Sequence, residues 1–563
     1  DWPITSYDSI ISGWKDPSIK VGYYGNVNAT RTIALVGGSH AEQWITALDA
    51  IGKRHDFRVT TYLKVGCALT TEHVFTWFGQ KYYQCNDWSR RVMERLAVDK
   101  PDVVFTNSTR PVESGDGDYV PKDYEEIFAE FRDRGQRVVA VRDNPWATGQ
   151  LKPPECLASG RKPEVCGVPR AQAMAPADPA AALDALVEKQ SFTLTNFATQ
   201  GGAVIPEMTL GYETYGTLNE AKDNAILITH FFSGNSHAAG KYAEGDAAPG
   251  YWDAIIGPGK PIDTDKYFVV SADTPVNLGA KNPKVITTGP ATVNPATGKP
   301  WGMDFPILTI GDFVETQKGL MDQLGIGKWH AVMGASMGGL QAYDWAARHP
   351  DKLTRVIPVI SSGWADADLI AWLDVWGAPV RLDPNWNGGD YYEGTPPDAG
   401  LAAAMKIITL QASSPDWTNP TFGRQWAAEG ADPAASFDNE FKVVQTLRDG
   451  GAARAATSDA NHLLYLIKAN QLFVAGATGA AAAGAAGGTS LYDGLKAIDV
   501  PVMLVHTDED LVFPGDAVRE TAAIIKSDGT PVEVVEINGT RGHLDGVVNI
   551  GQAGEAIRGF LDR

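Results

Sequence analysis

The chain has 563 residues, 44% of them hydrophobic and 21% charged, which is too long for one core; at roughly 150 residues per domain it divides into two to four units. Its 48 basic and 68 acidic side chains leave a formal net charge of -20, which excludes the basic footprint that nucleic acid or an anionic membrane requires. No run approaches the roughly 20 apolar residues of a spanning helix, and the chain opens at Asp1 without a signal-peptide pattern, so it reads as a soluble, processed or trimmed chain.

Apolar runs at residues 32–36, 57–63, 102–105 and 136–141 alternate with helical patterns, a βαβ rhythm that predicts a parallel sheet. All four cysteines, Cys67, Cys85, Cys156 and Cys166, fall in this first third. Of the three connectivities open to four cysteines, Cys67 with Cys85 and Cys156 with Cys166 are favoured because short loops close easily; four buried free thiols are the alternative. The spacing does not suit zinc. Oxidised bridges point to an extracytoplasmic compartment, periplasmic or secreted, and free thiols would point to the cytoplasm.

Composition changes between residues 162 and 190, where Pro163, Pro169, Pro176 and Pro179 alternate with Ala-rich sequence. A first domain at 1–179 and a linker at 180–191 are expected. The alternation then restarts, with β-branched strands predicted at 224–230, 267–272, 329–333, 354–360, 500–506 and 532–537. A second α/β core at 192–361 and 493–563 is interrupted by a helical, Trp- and Asp-rich insertion at 362–492, the pattern of a lid over a site. The Ala/Gly tract at 475–488 reads as a flexible return to the sheet.

The motif with chemistry is Gly334-Ala335-Ser336-Met337-Gly338, between a predicted strand and an amphipathic helix. A sharp strand-to-helix turn pushes a serine hydroxyl out at the sheet's C-terminal edge, where the helix N-terminus favours negative charge. The partners follow in the order Ser, Asp, His. Asp510, preferred to Asp508, lies in the loop after a late strand, and His543 follows the last strand. Of the seven histidines after residue 190, His506 reads as a strand-end residue and His462 falls in the lid. His543 would take the Ser336 proton while Asp510 fixes its tautomer. An acyl-transfer site also needs two N–H groups aimed at an oxyanion. Met337 would supply one and Phe232 the other, with Ser233 as the fallback. His230 and His237 flank that loop, but no third ligand has metal-site spacing.

These residues resemble the homoserine O-acetyltransferase family of α/β-hydrolases over about residues 192–563. The similar segments include Leu210 to Asn219, His230 to Gly240, Gly334 to Ala342, Ser458-Asp459-Ala460-Asn461, Asp510 to Pro514 and Gly542-His543. The resemblance implies a helical lid, a Ser336 acyl-enzyme and transfer from acyl-coenzyme A to a small hydroxy amino acid. Members that acylate homoserine carry arginines on the first lid helices. Here Met405 stands at one such position, with Lys406 beside it as a point charge, and the second arginine is missing too. A thioether cannot replace a bidentate guanidinium, so the acceptor is expected to have changed, water being the default. Trp364, Trp372, Trp376, Trp386, Trp417 and Trp426 in the lid suit either a larger apolar or carbohydrate-like ligand or lid packing.

Val36-Gly37-Gly38-Ser39-His40 resembles the first block of the SGNH hydrolases, and the segment to about Pro179, with Asn107 and the run Val141 to Pro145, is similar to the periplasmic SGNH domain of sugar O-acyltransferases. This implies a flavodoxin-like parallel sheet. No Asp-x-x-His block is present, and no histidine occurs between His73 and His230, so Ser39 lacks an evident base. A second active site at Ser39 and Asn107 therefore ranks below a binding or degenerate module.

The expected function is hydrolysis of a small-molecule or glycan ester without a cofactor. The alternative is O-acetyl transfer with acyl-coenzyme A as co-substrate. A non-catalytic glycan or cell-wall binding protein is the second alternative, and a homodimer is left open.

Overall fold

The computed structural model describes residues 10–71, 75–77, 79–111, 117–121, 123–134, 136–143, 186–243, 246, 248–477 and 491–563. Contacts divide the chain into two units, residues 1–184 and 185–563.

In the first unit, strands β1 (Val21–Gly25), β2 (Thr32–Gly37), β3 (Arg58–Leu63), β4 (Val103–Asn107) and β5 (Arg137–Val141) form one sheet in the order β1-β3-β2-β4-β5. All pairings are parallel except β1 with β3. Helices α1 (Ile45–His55), α2 (Tyr83–Asp99) and α3 (Asp123–Asp133) make the crossovers. Cys67 and Cys85 are joined as expected, with Cα atoms 5.4 Å apart; Cys156 and Cys166 lie outside the described residues. Both bridged cysteines sit in a buried cluster with Trp88, Tyr82 and Val36.

The second unit begins before its predicted start: Gln190 and Ser191, assigned to the linker by sequence, open strand β6 (Gln190–Ala198), which pairs antiparallel with β7 (Val204–Tyr215). Then come β8 (Ala225–Thr229), β9 (Phe268–Ala272), α4 (Ile310–Leu324), β10 (Ala331–Ala335), α5 (Met337–Arg348) and β11 (Val356–Val359). After the lid the chain returns as β12 (Val502–His506), α11 (Gly515–Ser527), β13 (Val532–Glu536) and α12 (Gly554–Leu561). The order β6-β7-β9-β8-β10-β11-β12-β13 is parallel from β9 onward. Every residue of β8, β10, β11 and β12 is buried. Helices cover both faces, which is why these strands read as continuous apolar runs.

The lid contributes α6 (Ala367–Leu382), α7 (Asp398–Gln411), α8 (Pro415–Phe422), α9 (Lys442–Ala455) and α10 (Ala460–Gln471). Asp366 and Asp459 cap α6 and α10 by accepting from Leu369 N and His462 N. The Asp459 carboxylate also accepts from Tyr391 and Tyr392 hydroxyls, at 2.8 and 3.1 Å, while Asn461 donates to Gly389 O and accepts from the Trp386 indole. The Ser458 to Asn461 segment thus braces the lid. No helix among the described residues is long and apolar enough to cross a membrane.

Candidate active site

Four loops converge at the C-terminal edge of the parallel strands, where open α/β sheets place their ligands. Ser336 follows β10, the Phe231 to Ser233 loop follows β8, Asp510 follows β12 and His543 follows β13. Ser336 adopts φ 56° and ψ -120°, left-handed backbone that is costly for a residue with a Cβ. The flanking glycines make this turn feasible. A Cβ on Gly338 would overlap the Thr229 carbonyl, and one on Gly334 would overlap the Thr229 hydroxyl. Thr229 Oγ1 donates to Gly338 O at 2.8 Å, tying the end of β8 to the first turn of α5.

His543 lies between the other two predicted members. Its Nδ1 is 2.8 Å from Asp510 Oδ2 and its Nε2 is 2.8 Å from Ser336 Oγ. A carboxylate only accepts, so Nδ1 carries the proton and Nε2 is left as the acceptor for the serine hydroxyl. Asp510 is fixed through its other oxygen, which accepts from Val512 N at 2.7 Å and Phe513 N at 2.9 Å. Asp510 is 2% exposed. Asp508 instead pairs with Arg519 on the surface, so the choice of Asp510 agrees with the geometry.

Met337 is the first residue of α5, and its N–H belongs to the set that helix geometry leaves without an intrahelical acceptor. Among the described residues, the Phe232 and Ser233 N–H groups also have no acceptor, whereas Gly234 N donates back to Phe231 O. This loop is braced from below. His230 is buried; its Nδ1 donates to Phe231 O at 2.8 Å, and its Nε2 accepts from Thr274 N and Asn277 Nδ2, both at 3.1 Å. Burial pushes its pKa down, so the ring is neutral. Further along, the buried Glu213 accepts from Ser236 Oγ, Tyr215 and Tyr242, and pairs with His237 and Lys189. Burial alone would raise its pKa; His237, Lys189 and Tyr242 outweigh that and bring it below the ordinary value. Both histidines of this loop are therefore committed to structural partners.

The site opens into a cavity of about 270 Å³, lined by Ser336, His543, Phe232, Trp376, Thr409 and Arg454 among others. Ser233 also lines it. Met405 and Lys406, predicted to contact substrate, do not: Met405 is fully buried in the lid core, one turn from the cavity, and Lys406 faces away from the stripe formed by Ile408, Thr409 and Ala412. Of the six lid tryptophans only Trp376 reaches the cavity, packing edge-on to Phe232 with centroids 5.3 Å apart. Trp386 hydrogen bonds to Asn461, Trp417 stacks under Arg541, and Trp372 and Trp426 are exposed, so the tryptophan count follows lid packing. No sequence signal marks Thr409 or Arg454, because which face of a lid helix meets the cavity depends on helix packing.

In the first unit, Ser39 and Asn107 line a small cleft of about 40 Å³. The sequence left Ser39 without an evident base, and the structure places the neighbouring His40 in the same cleft. His40 Nδ1 is 2.7 Å from Asp143 Oδ1, and Asn107 Nδ2 donates to the same oxygen at 3.3 Å. Sequence missed the pair because 103 residues separate its members. Among the described residues the Ser39 hydroxyl makes no hydrogen bond to it.

Residues 248–545 match the family described as alpha/beta hydrolase fold, and residues 13–197 match the SGNH domain found fused to AT3 domains. A homoserine O-acetyltransferase of Methanohalobium evestigatum is 38% identical over 362 residues, 64% of this chain and 70% of that protein. The chain belongs to the α/β-hydrolase family of the homoserine O-acetyltransferases. Within that family, the homoserine O-acetyltransferase of Deferribacter desulfuricans is 37% identical over 65% of this chain and 93% of its own. Among solved structures, esterase E22 is 46% identical with a TM-score of 0.63, covering 67% of this chain and 100% of its own. The homoserine O-acetyltransferase of Bacillus anthracis is 34% identical with the same TM-score, covering 67% and 98%. The chain is thus similar to both a transferase and an esterase, at the same TM-score of 0.63.

Proposed function

We propose that the second unit is a serine ester hydrolase whose catalytic residues are Ser336, His543 and Asp510. The reading rests chiefly on the unbroken hydrogen-bond relay from Asp510 through His543 to Ser336 Oγ, placed at the mouth of a cavity. His543 Nε2 takes the hydroxyl proton as Ser336 Oγ bonds to the ester carbonyl carbon. The resulting oxyanion accepts from the N–H groups of Met337 and Phe232, with Ser233 N–H as the neighbouring donor. His543 then gives the proton to the departing alkoxide oxygen, leaving an acyl-Ser336. Water repeats the sequence: His543 removes its proton, the hydroxide oxygen bonds to the acyl carbon, and the proton returns to Ser336 as the acid leaves. Asp510 keeps Nδ1 protonated and stabilises the imidazolium at each attack.

Water is favoured over homoserine as acceptor because no guanidinium occupies position 405 and neither Met405 nor Lys406 lines the cavity. The esterase relative, at 46% identity, supports the same choice. O-Acetyl transfer from acyl-coenzyme A remains the second reading, supported by the transferase relatives. The Cys67–Cys85 bridge supports an extracytoplasmic setting. The first unit is read as a binding module, because the Ser39 hydroxyl has no hydrogen-bonded base among the described residues.

The test is a panel of p-nitrophenyl esters assayed with and without acyl-coenzyme A and homoserine, together with fluorophosphonate labelling. Label on Ser336 and turnover that is independent of homoserine are expected. Homoserine acetylation at a rate exceeding hydrolysis would favour the transferase reading, and failure to label Ser336 would overturn both.

A further inference from the structure

Arg454 lies in the last turn of α9 and lines the cavity that contains Ser336 and His543. Its Nη1 donates to Thr409 Oγ1 at 2.6 Å, and that hydroxyl uses its own proton on Met405 O at 2.8 Å. The remaining guanidinium N–H groups have no acceptor among the described residues, and no carboxylate pairs with the side chain. Two other arginines removed from solvent have carboxylate partners, Arg142 with Asp118 at 2.7 Å and Arg348 with Asp344 at 2.9 Å, and the buried Arg355 instead donates to the carbonyls of Phe560 and Leu561. Burial presses the Arg454 pKa below its ordinary value, with no acidic neighbour to offset it. A guanidinium remains charged under such pressure. A cation withdrawn from water without its counter-charge is costly, and here it faces a space otherwise lined mainly by Phe232, Trp376, Ile408 and Val512.

We infer that Arg454 is the specificity-determining residue for an anionic substrate, an ester that carries a free carboxylate on its acyl or its alcohol part. The planar fork offers two parallel N–H donors that match a carboxylate, and the apolar walls exclude the water that would otherwise compete. The guanidinium comes from α9, whereas position 405 on α7 is occupied by a thioether. This inference rests on the ester-hydrolysis reading of the Ser336 site.

Two matched pairs of esters test it. Mono-4-nitrophenyl glutarate against 4-nitrophenyl valerate places the carboxylate on the acyl side; 4-acetoxybutanoate against butyl acetate places it on the alcohol side. In one pair the carboxylated member is expected to have the higher kcat/KM, and Arg454→Met is expected to lower that preference by roughly tenfold or more. Arg454→Lys should retain part of it. Equal loss on both members of each pair, or no preference in the unaltered protein, overturns the inference while turnover abolished by Ser336→Ala leaves the hydrolase reading standing. A binding measurement separates the two further. Glutarate or 4-hydroxybutanoate should raise the Tm of Ser336→Ala but not of Ser336→Ala/Arg454→Met, and equal shifts in both would overturn the inference irrespective of turnover.

Discussion

His543 Nε2 lies 2.8 Å from Ser336 Oγ across 207 residues of sequence. The contact joins the end of β13 to the turn after β10, so it exists only when the sheet is complete. Replacing Ser336 by Ala should bring ester turnover to background and abolish fluorophosphonate labelling, with thermal unfolding unchanged. Asp510→Asn should retain the fold but lower kcat by about 10³- to 10⁴-fold, because an amide can donate to Nδ1 and so favours the wrong tautomer. A kcat for Asp510→Asn within tenfold of the unaltered enzyme would remove Asp510 from the mechanism.

The turn that presents Ser336 depends on a close backbone approach. A Cβ at position 338 would overlap the Thr229 carbonyl, which belongs to a fully buried strand and cannot retreat. Gly338→Ala is expected to cost about 1–3 kcal/mol of stability and to lower kcat at least 100-fold by displacing the Met337 N–H. Urea unfolding and p-nitrophenyl ester kinetics on the same preparation check both effects.

The parallel core was legible because strands such as β8 and β10 are buried on both faces and consist of β-branched and apolar residues. The β6–β7 hairpin was not, since most of its outward positions are polar and exposed, leaving no continuous run. Ser336, Asp510 and His543 could be found from order alone, each following a recognisable strand. Arg454 and the His40–Asp143 pair could not, because neither local spacing nor periodicity specifies which side chains distant segments bring together. The family pattern points to Met405 and Lys406, but packing of α7 puts one in the core and turns the other away.

His230 and His462, like His330 and His506, are held below the ordinary histidine pKa by burial, and they contribute a pH dependence separate from the proposed relay. His462 donates from Nδ1 to Asn277 O and accepts from Ala291 N at Nε2, while His230 is neutral under the oxyanion loop. Burial lowers both pKa values from the ordinary 6.5. The unfolded chain therefore binds protons more readily, so stability is full above about pH 6.5 and declines as pH falls toward the folded pKa values. Urea midpoints measured at pH 8, 6 and 5 should decrease in that order. His462→Gln, which keeps one donor and one acceptor without titrating, should show a smaller decrease; an unchanged slope would assign the dependence elsewhere.

Glu213 offers a test of the loop's brace with an opposite chemistry. Its pKa is lowered despite burial, so its contribution is present above about pH 4.5 and is lost as pH falls through the depressed value. Glu213→Gln retains size but leaves Lys189 with only the Asp273 carboxylate, 2.9 Å away, and removes the charge facing His237. A loss of about 3–5 kcal/mol is expected from breaking a buried pair on one side. If Glu213 acts only by positioning the Phe231 to Ser236 loop, kcat should fall while KM for a neutral ester changes little.

The disulfide should stabilise one unit alone. Closing the 18-residue separation between Cys67 and Cys85 restricts the unfolded chain by about 3 kcal/mol, and both sulfurs lie inside the core of the first unit. The second unit contains no cysteine. A Cys67→Ala/Cys85→Ala variant should therefore lower the transition assigned to residues 10–143 and leave ester turnover by Ser336 unaffected. Differential scanning calorimetry alongside the p-nitrophenyl assay separates the outcomes. A parallel loss of activity would mean that the two units depend on each other for folding, and one unshifted transition would mean that the bridge adds no stability.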